Sequence, residues 1–476
     1  VLSKEKMNKG IFTAINLPGT IPVDCYRIQF YVKDLAGFSY KTYIVKPNSG
    51  KLVVTKKTEE ELTMDSVLEN EYLRVIIYSN GEIYLLDKRS GKQYKDILIL
   101  EDTEDCGDSY TYKKALEGKT ITSKEFTPEI TCIRNNSLEK TYVLKYNMQL
   151  PECFDKKNMR RSSSLTCNIV KIILKLKKGS KRLDIRFEYE NTSKDHRLRA
   201  LIATGIDSDY TKASIPFDLI LRDKKEALNG IQNGTQPNSG FIDIDGEDGG
   251  MSLFTEGIYE YEHLLDKTGV IALTLLRANS WISIDTGTGV MNNYRDDTWM
   301  VPGNQCIRMI EVAMAIQPHG QSLLESNSMK EARTFHNSVL TYFQPADLKK
   351  FSGGRPAVQD TDIKEIFYRE DPYGFIQLPM EKKFLSVEGE NILLSSVKKA
   401  NQNDSLVLRL YNAGEEESEA FVSFINQNIK AYRMNMNEEI LGEIECENCY
   451  IKPFGIKAGE IITVAVMNNA YSPVSV

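Results

Sequence analysis

The sequence predicts an all-β protein built of packed antiparallel sheets, and three observations carry that expectation. Apolar residues recur at every second position over many short segments, turn-forming residues separate them, and amphipathic helical patterns are scarce. The clearest alternation sets Leu183, Ile185, Phe187 and Tyr189 against Asp184, Arg186, Glu188 and Glu190, which makes a strand with one buried and one wet face. Similar runs occupy residues 72–78, 83–86, 169–177, 271–276, 406–410 and 461–466. Asn80-Gly81 lies between the first two of these, and that pair readily takes the positive φ angles of a tight hairpin turn. The best helical candidate spans residues 322–339, and there is no fixed-period repeat.

The chain has 476 residues, enough for roughly two to four domains, each with a core of its own. Three segments suggest themselves. Residues 1–58 hold a few strands and end in a charged stretch, and residues 59–344 form a long strand-rich region. Residues 345–476 open on a Gly/Pro-containing linker or crossover (345–372, with Ser352-Gly353-Gly354-Arg355-Pro356) and close on more strands.

Composition excludes several functions. Apolar residues are 41% and charged residues 26%, the proportions of a soluble globular protein. A formal net charge of -6 and a pI near 5.6 argue against a nucleic-acid partner, which needs a basic face. The basic stretch 171–182 alternates with apolar residues and reads as a solvated strand face. No run approaches the roughly 20 apolar residues of a membrane helix. The N-terminus lacks both the apolar core of a signal peptide and an initiator Met, so the expectation is a chain cut from a longer one. Among eight cysteines only Cys446 and Cys449 are close. A lone Cys-x-x-Cys without a second ligand pair reads as a reduced pair rather than a zinc site, and the usage fits a cytoplasmic protein.

From the residues alone no catalytic centre stands out. His196, His263, His319 and His336 are the only histidines, and none sits at a metal-binding spacing. No phosphate loop or Gly-x-Ser-x-Gly elbow occurs. Gly246-Glu247-Asp248-Gly249-Gly250 is acidic and reads as a hairpin loop rather than a phosphate cradle. Carboxylate pairs such as Asp207 and Asp209 or Asp296 and Asp297 arise by chance among 66 acidic residues.

Several segments, taken in order, resemble one family. Leu68-Glu69-Asn70-Glu71-Tyr72-Leu73-Arg74-Val75, then Asn80-Gly81 and Asp87-Lys88-Arg89-Ser90-Gly91, resemble the start of the large C-terminal β-domain of glycoside hydrolase family 38. Cys106-Gly107-Asp108-Ser109-Tyr110-Thr111-Tyr112 is similar to its Gly-Asp-x-Tyr segment. Asp195-His196-Arg197-Leu198-Arg199, Ser214-Ile215-Pro216-Phe217-Asp218, Ala272-Leu273-Thr274-Leu275-Leu276-Arg277 with Trp281, and Asn304-Gln305-Cys306 leading to Gln317-Pro318-His319 follow in the family's order. Phe384-Leu385-Ser386-Val387 and Leu408-Arg409-Leu410-Tyr411-Asn412 resemble its closing β-domain.

The resemblance implies a large antiparallel β-supersandwich (galactose-mutarotase-like) flanked by smaller β-sandwich segments, with residues 1–58 the end of a small β-domain. It implies a retaining α-mannosidase or mannosylglycerate hydrolase, in which a carboxylate nucleophile and a divalent metal, usually zinc, act on the sugar. In the family those groups belong to an N-terminal catalytic half, and no counterpart of their motifs occurs here. The chain is therefore expected to be a non-catalytic C-terminal region without metal ligands. It would scaffold the absent catalytic half, line the pocket for an α-mannoside or mannosyl-glycan, and possess surfaces through which such proteins associate into homo-oligomers. The resemblance also implies rim residues. Tyr110 matches a tyrosine that reaches the sugar, with Asp108 on the same loop, and Glu256 and Tyr259 flank a second rim loop; a plain turn between strands is the other reading. Some eukaryotic members carry an arginine near the position of Gly257, so that contact is absent here. Arg197, Arg199 and Arg277 fit the family pattern, and a buried ion pair explains each as well. The rival functions are a carbohydrate-binding module, for which only Trp281 and Trp299 offer large stacking faces, and an assembly domain.

Overall fold

A computed structural model describes residues 1–12, 18–45, 66–115, 118–155, 158–225, 234–282, 300–320, 323, 326–341, 379–425 and 428–468. It is all-β, with two large antiparallel sheets of nine and six strands in the centre. The reason lies in the alternation. In the strand Leu183–Glu190 the side chains of Leu183, Ile185, Phe187 and Tyr189 are buried, while Arg186 and Glu190 face solvent. This strand lies between Leu165–Lys177 and Met309–His319, with Phe187 level with Ile172 on one side and Val312 on the other. Leu144, Ile172, Phe187 and Met314 from the nine-stranded sheet share one core with Leu100, Leu198, Ala200 and Leu273 from the six-stranded sheet. A four-stranded sheet adds Leu68, Val75 and Leu85 to that core. The basic stretch of Leu165–Lys177 is a wet face, as its alternation predicts, with Ile172, Leu174 and Leu176 buried between the lysines.

The remaining elements surround this sandwich. Five-stranded and four-stranded sheets near the C-terminus enclose a second core around Leu408, Leu410, Val422, Ile451 and Val464. The α-helix Ser328–His336 bridges the two: Met329 and Ala332 pack with Phe254 of the nine-stranded sheet and Tyr411 of the five-stranded sheet, and Arg333 donates to the Tyr411 hydroxyl at 2.8 Å. At the other end of the chain, Ser3–Phe12 pairs antiparallel with Pro18–Arg27, and Ser39–Lys41 pairs with Glu381–Lys383. The helix is shorter than the 322–339 span suggests. Asn327 before it takes a positive φ of 57°, and Val339 and Leu340 beyond it are exposed with no apolar surface to continue against. The segment boundaries at 58/59 and 344/345, with the linker 345–372, lie outside the described residues.

Both expected turns form. Phe241–Gly246 and Gly249–Glu256 pair with Gly246 opposite Gly249, so Glu247 and Asp248 make a two-residue hairpin turn. Gly81, at φ +89°, closes the turn after Leu73–Ile77, where its N–H donates to the Tyr78 carbonyl at 2.9 Å. A Cβ at this glycine would meet the Tyr146 hydroxyl at 2.3 Å and Pro128 Cγ at 2.9 Å. Gly81→Ala therefore combines backbone strain with overpacking and should cost about 1–3 kcal/mol, read from urea denaturation. A loss below about 0.5 kcal/mol would mean that the turn relaxes freely.

Candidate functional site

Four adjacent strands of the six-stranded sheet organise the site. Leu98–Glu104 pairs with His196–Ala203, which pairs with Val270–Ala278, which pairs with Glu260–His263. The register sets Glu104 and Ala278 on either side of His196, while the Thr274 hydroxyl donates to Glu260 at 2.8 Å. The segment after Glu104 and the segment before Glu260 consequently leave the sheet at the same end. They carry Asp108 with Tyr110, and Glu256 with Tyr259. Three strand spacings separate their bases, roughly 14 Å.

The first loop is held at many points. Asp105, 1% exposed, accepts from Gly107 N–H at 3.0 Å and Lys113 N–H at 3.2 Å, and pairs with Arg277 at 2.9 Å. Burial pushes the Asp105 carboxyl above the usual carboxylate range against the pull of Arg277. Arg277 also donates to the Asp108 carbonyl at 2.6 Å. Asp108 is buried, and its Oδ1 accepts from the N–H groups of Tyr110 and Thr111 at 2.9 and 2.7 Å. Asp108 thus shapes the turn, as Asx residues do. Ser109 N–H and hydroxyl both reach the Trp281 carbonyl at 3.1 Å. Tyr110 stands 77% exposed at the tip. Trp281 itself is 8% exposed and serves as an anchor rather than a stacking face; Trp299 lies outside the described residues.

The second loop is shorter. Asn238 accepts from the Thr255 hydroxyl at 2.8 Å and gives its backbone N–H to the Tyr259 carbonyl at 2.9 Å. Ile258 is buried, Glu256 is exposed, and Tyr259 is 70% exposed. Gly257 has φ +77°, and a Cβ there would sit 3.1 Å from Val312, so a larger residue at this position would be strained.

The three arginines divide. Arg199 pairs with Glu101 at 2.6 Å and with Glu262, and Arg277 pairs with Asp105, so a buried ion pair accounts for both. Arg197 is a correction. Its neighbours in register are Thr103 and Arg277, which offer no carboxylate, and its guanidinium stacks 3.3 Å from the centre of the Tyr112 ring.

On the core side of the same strands lies a polar network that single motifs do not reveal. Asp102 pairs with Arg161 and lies 2.6 Å from His196 Nδ1, while His196 Nε2 lies 3.0 Å from Asn191 Oδ1. Its signal in the sequence is complementarity between the acidic run 101–105 and the basic run 196–199. His263 is buried with neither ring nitrogen hydrogen-bonded, and burial lowers its pKa from 6.5 to about 4. The unfolded chain takes up this proton first. The contribution is therefore intact above about pH 7 and is lost as pH falls from 6.5 towards 4, by at most about 3 kcal/mol. His263→Leu should flatten the pH dependence of the urea midpoint in that window, and an unchanged slope would exclude the effect.

All eight cysteines are free thiols, and burial raises the pKa of Cys446. Among the described residues no group of three or more His, Cys, Asp or Glu side chains could hold a metal ion. No helix among them is long and apolar enough to cross a membrane.

Residues 68–297 match the family model "Glycosyl hydrolases family 38 C-terminal domain", and residues 391–464 match "Glycosyl hydrolases family 38 C-terminal beta sandwich domain". The chain belongs to glycosyl hydrolase family 38. The first match holds most of the central core and both tyrosine loops, and the second holds most of the C-terminal core. A relative named "Putative mannosylglycerate hydrolase" from Halalkalibacterium halodurans is 25% identical over 471 residues, covering 93% of this chain and 47% of the relative. Two crystal structures from Enterococcus faecalis share the fold. An alpha-mannosidase aligns with TM-score 0.72 at 21% identity over 98% of this chain and 49% of its own. A family 38 protein aligns with TM-score 0.71 at 21% identity, covering 98% and 51%. The chain spans about half the length of these family 38 relatives.

Proposed function

We propose that the chain is the β-sheet half of a retaining α-mannoside-cleaving hydrolase, scaffolding a separate catalytic half and walling its sugar pocket. The observation that carries this is the Tyr110 loop, a tightly bonded turn within the matched family domain that presents an exposed phenol. A turn needed only to connect strands has no requirement for so many fixed points. The nucleophile and metal belong to the catalytic half in this reading, and the chain by itself does not hydrolyse an aryl α-mannoside. Turnover by the purified chain, lost on mutation within it, would overturn the division of labour.

With the catalytic half joined, Tyr110→Phe keeps the ring and removes one hydroxyl. If that hydroxyl binds the sugar more tightly in the transition state, kcat/KM falls by about threefold to tenfold, the worth of a neutral hydrogen bond. Asp108→Asn should act on the same parameter through the turn it shapes. Unchanged kinetics in both would leave the loop a connector.

A further inference from the structure

His319 closes the strand Met309–His319 of the nine-stranded sheet and is buried. Its Nδ1 lies 2.6 Å from the Gly320 carbonyl oxygen, and its Nε2 lies 2.9 Å from Asp243 Oδ1. A carbonyl and a carboxylate only accept, whereas a neutral imidazole has a single N–H to give. The imidazolium donates to both. Asp243 is 1% exposed, accepts from the Ser252 hydroxyl at 2.6 Å through the same oxygen, and pairs with no lysine or arginine among the described residues. The imidazolium is therefore its counter-charge. A Cβ at Gly250, level with His319 on the neighbouring strand, would meet the ring at 2.1 Å. This glycine of the acidic 246–250 hairpin thus keeps open the place where the ring lies.

The surrounding charges support the proton. Burial pushes the His319 pKa down, but the Asp243 carboxylate and the Gly320 carbonyl outweigh it and hold the value above 6.5. Asp245, two residues along the Asp243 strand, adds to that pull, and Lys212 on the next strand reaches Asp245 at 3.3 Å. Glu247 and Asp248 in the hairpin turn are further acids at this end. Arg89, paired with Asp87, donates to the Pro318 carbonyl at 2.7 Å. On the helix Ser328–His336, Lys330, Glu331 and His336 are engaged with Glu388, Arg182 and the Thr255 carbonyl.

The path of the chain gives this proton its reach. Gln317 lies on the same face of the strand as His319, and it donates to the hydroxyl of Ser328, the first residue of the helix, at 3.0 Å. Arg333 of that helix reaches Tyr411 in the five-stranded sheet. We propose that His319 is a proton-dependent clasp between the nine-stranded sheet and the helix that bridges to the C-terminal core. Protonated, it ties Asp243 to Gly320, the first residue of the connection into the helix. Deprotonated, it gives up one of the two contacts, and the connection and the helix loosen together. The unfolded histidine titrates near 6.5 and the folded one above it, so the contribution is complete below pH 6.5. It is lost as pH rises through the folded value, the reverse of the His263 effect.

The first test is NMR titration of the purified chain carrying 13C-labelled histidine. One of the four histidine signals should titrate above pH 6.5 and move down by about one unit or more in Asp243→Asn, which removes the charge and keeps an acceptor. If a folded Asp243→Asn variant displaces no such signal, the clasp is excluded. The second test is hydrogen exchange of residues 328–336, comparing the wild type with His319→Gln at the same pH. The variant should exchange about tenfold faster near pH 6, the worth of one hydrogen bond to a charged group, and at nearly the wild-type rate near pH 9. A difference that stays the same at both pH values would mean a merely structural histidine and overturn the proposal. The titration carries the test if His319→Gln misfolds.

Discussion

Phe187→Ala should lower the unfolding free energy by about 3–5 kcal/mol, the cost of deleting a fully buried ring that its surroundings cannot refill. Phe187 is 1% exposed in the core shared by the two large sheets, and it sits on an interior strand whose neighbours fix its position from both sides. Glu188→Ala, on the opposite face, should lose no more than about 1 kcal/mol. Its contacts with Lys171 at 3.3 Å and Arg186 at 3.7 Å are partly exposed pairs of the kind that contribute little. Urea denaturation of the two variants distinguishes the faces directly. Equal midpoints would show that the register of Leu183–Glu190 is wrong.

Asp102→Ala should be comparably severe, at about 3–5 kcal/mol, for an electrostatic reason. The substitution strands the Arg161 guanidinium, only 6% exposed, without its counter-charge, and removes the partner of His196 Nδ1. Replacing the pair together, as in Asp102→Leu with Arg161→Met, should recover part of the loss because no buried charge is then left alone. A single-mutant loss below about 1 kcal/mol would show that water or rearranged groups take over the role of Asp102.

Much of this was legible in the sequence. The alternation at 183–190 placed a strand and identified its buried face, because side chains on a strand point alternately to its two sides. Asn80-Gly81 and the glycines at 246–250 marked turns where the chain does turn. The ordered series of family-like segments located both matched domains. The helix was overdrawn, since apolar residues such as Val339 and Leu340 look alike whether or not a surface is there to bury them. Arg197 was equally opaque. Its neighbours Arg199 and Arg277 do form the ion pairs their charges suggest, and only the register sets Thr103 and Arg277 beside Arg197 in place of a carboxylate.

The sequence by itself determined the local terms: which residues make strands, which face of each strand is apolar, where turns fall, and to which family the ordered segments belong. These follow from periodicity and backbone preference, which act over a few residues at a time. Tertiary structure alone decided which strands lie side by side. That pairing brings residue 110 and residue 259, almost 150 positions apart, to one end of one sheet, buries Asp102 against Arg161 and His196, and sets Arg197 against the Tyr112 ring with its Nε and Nη1 lacking an acceptor. Contacts of that range are fixed by the joint burial of two sheet faces, a property of the whole core that no short stretch of sequence contains.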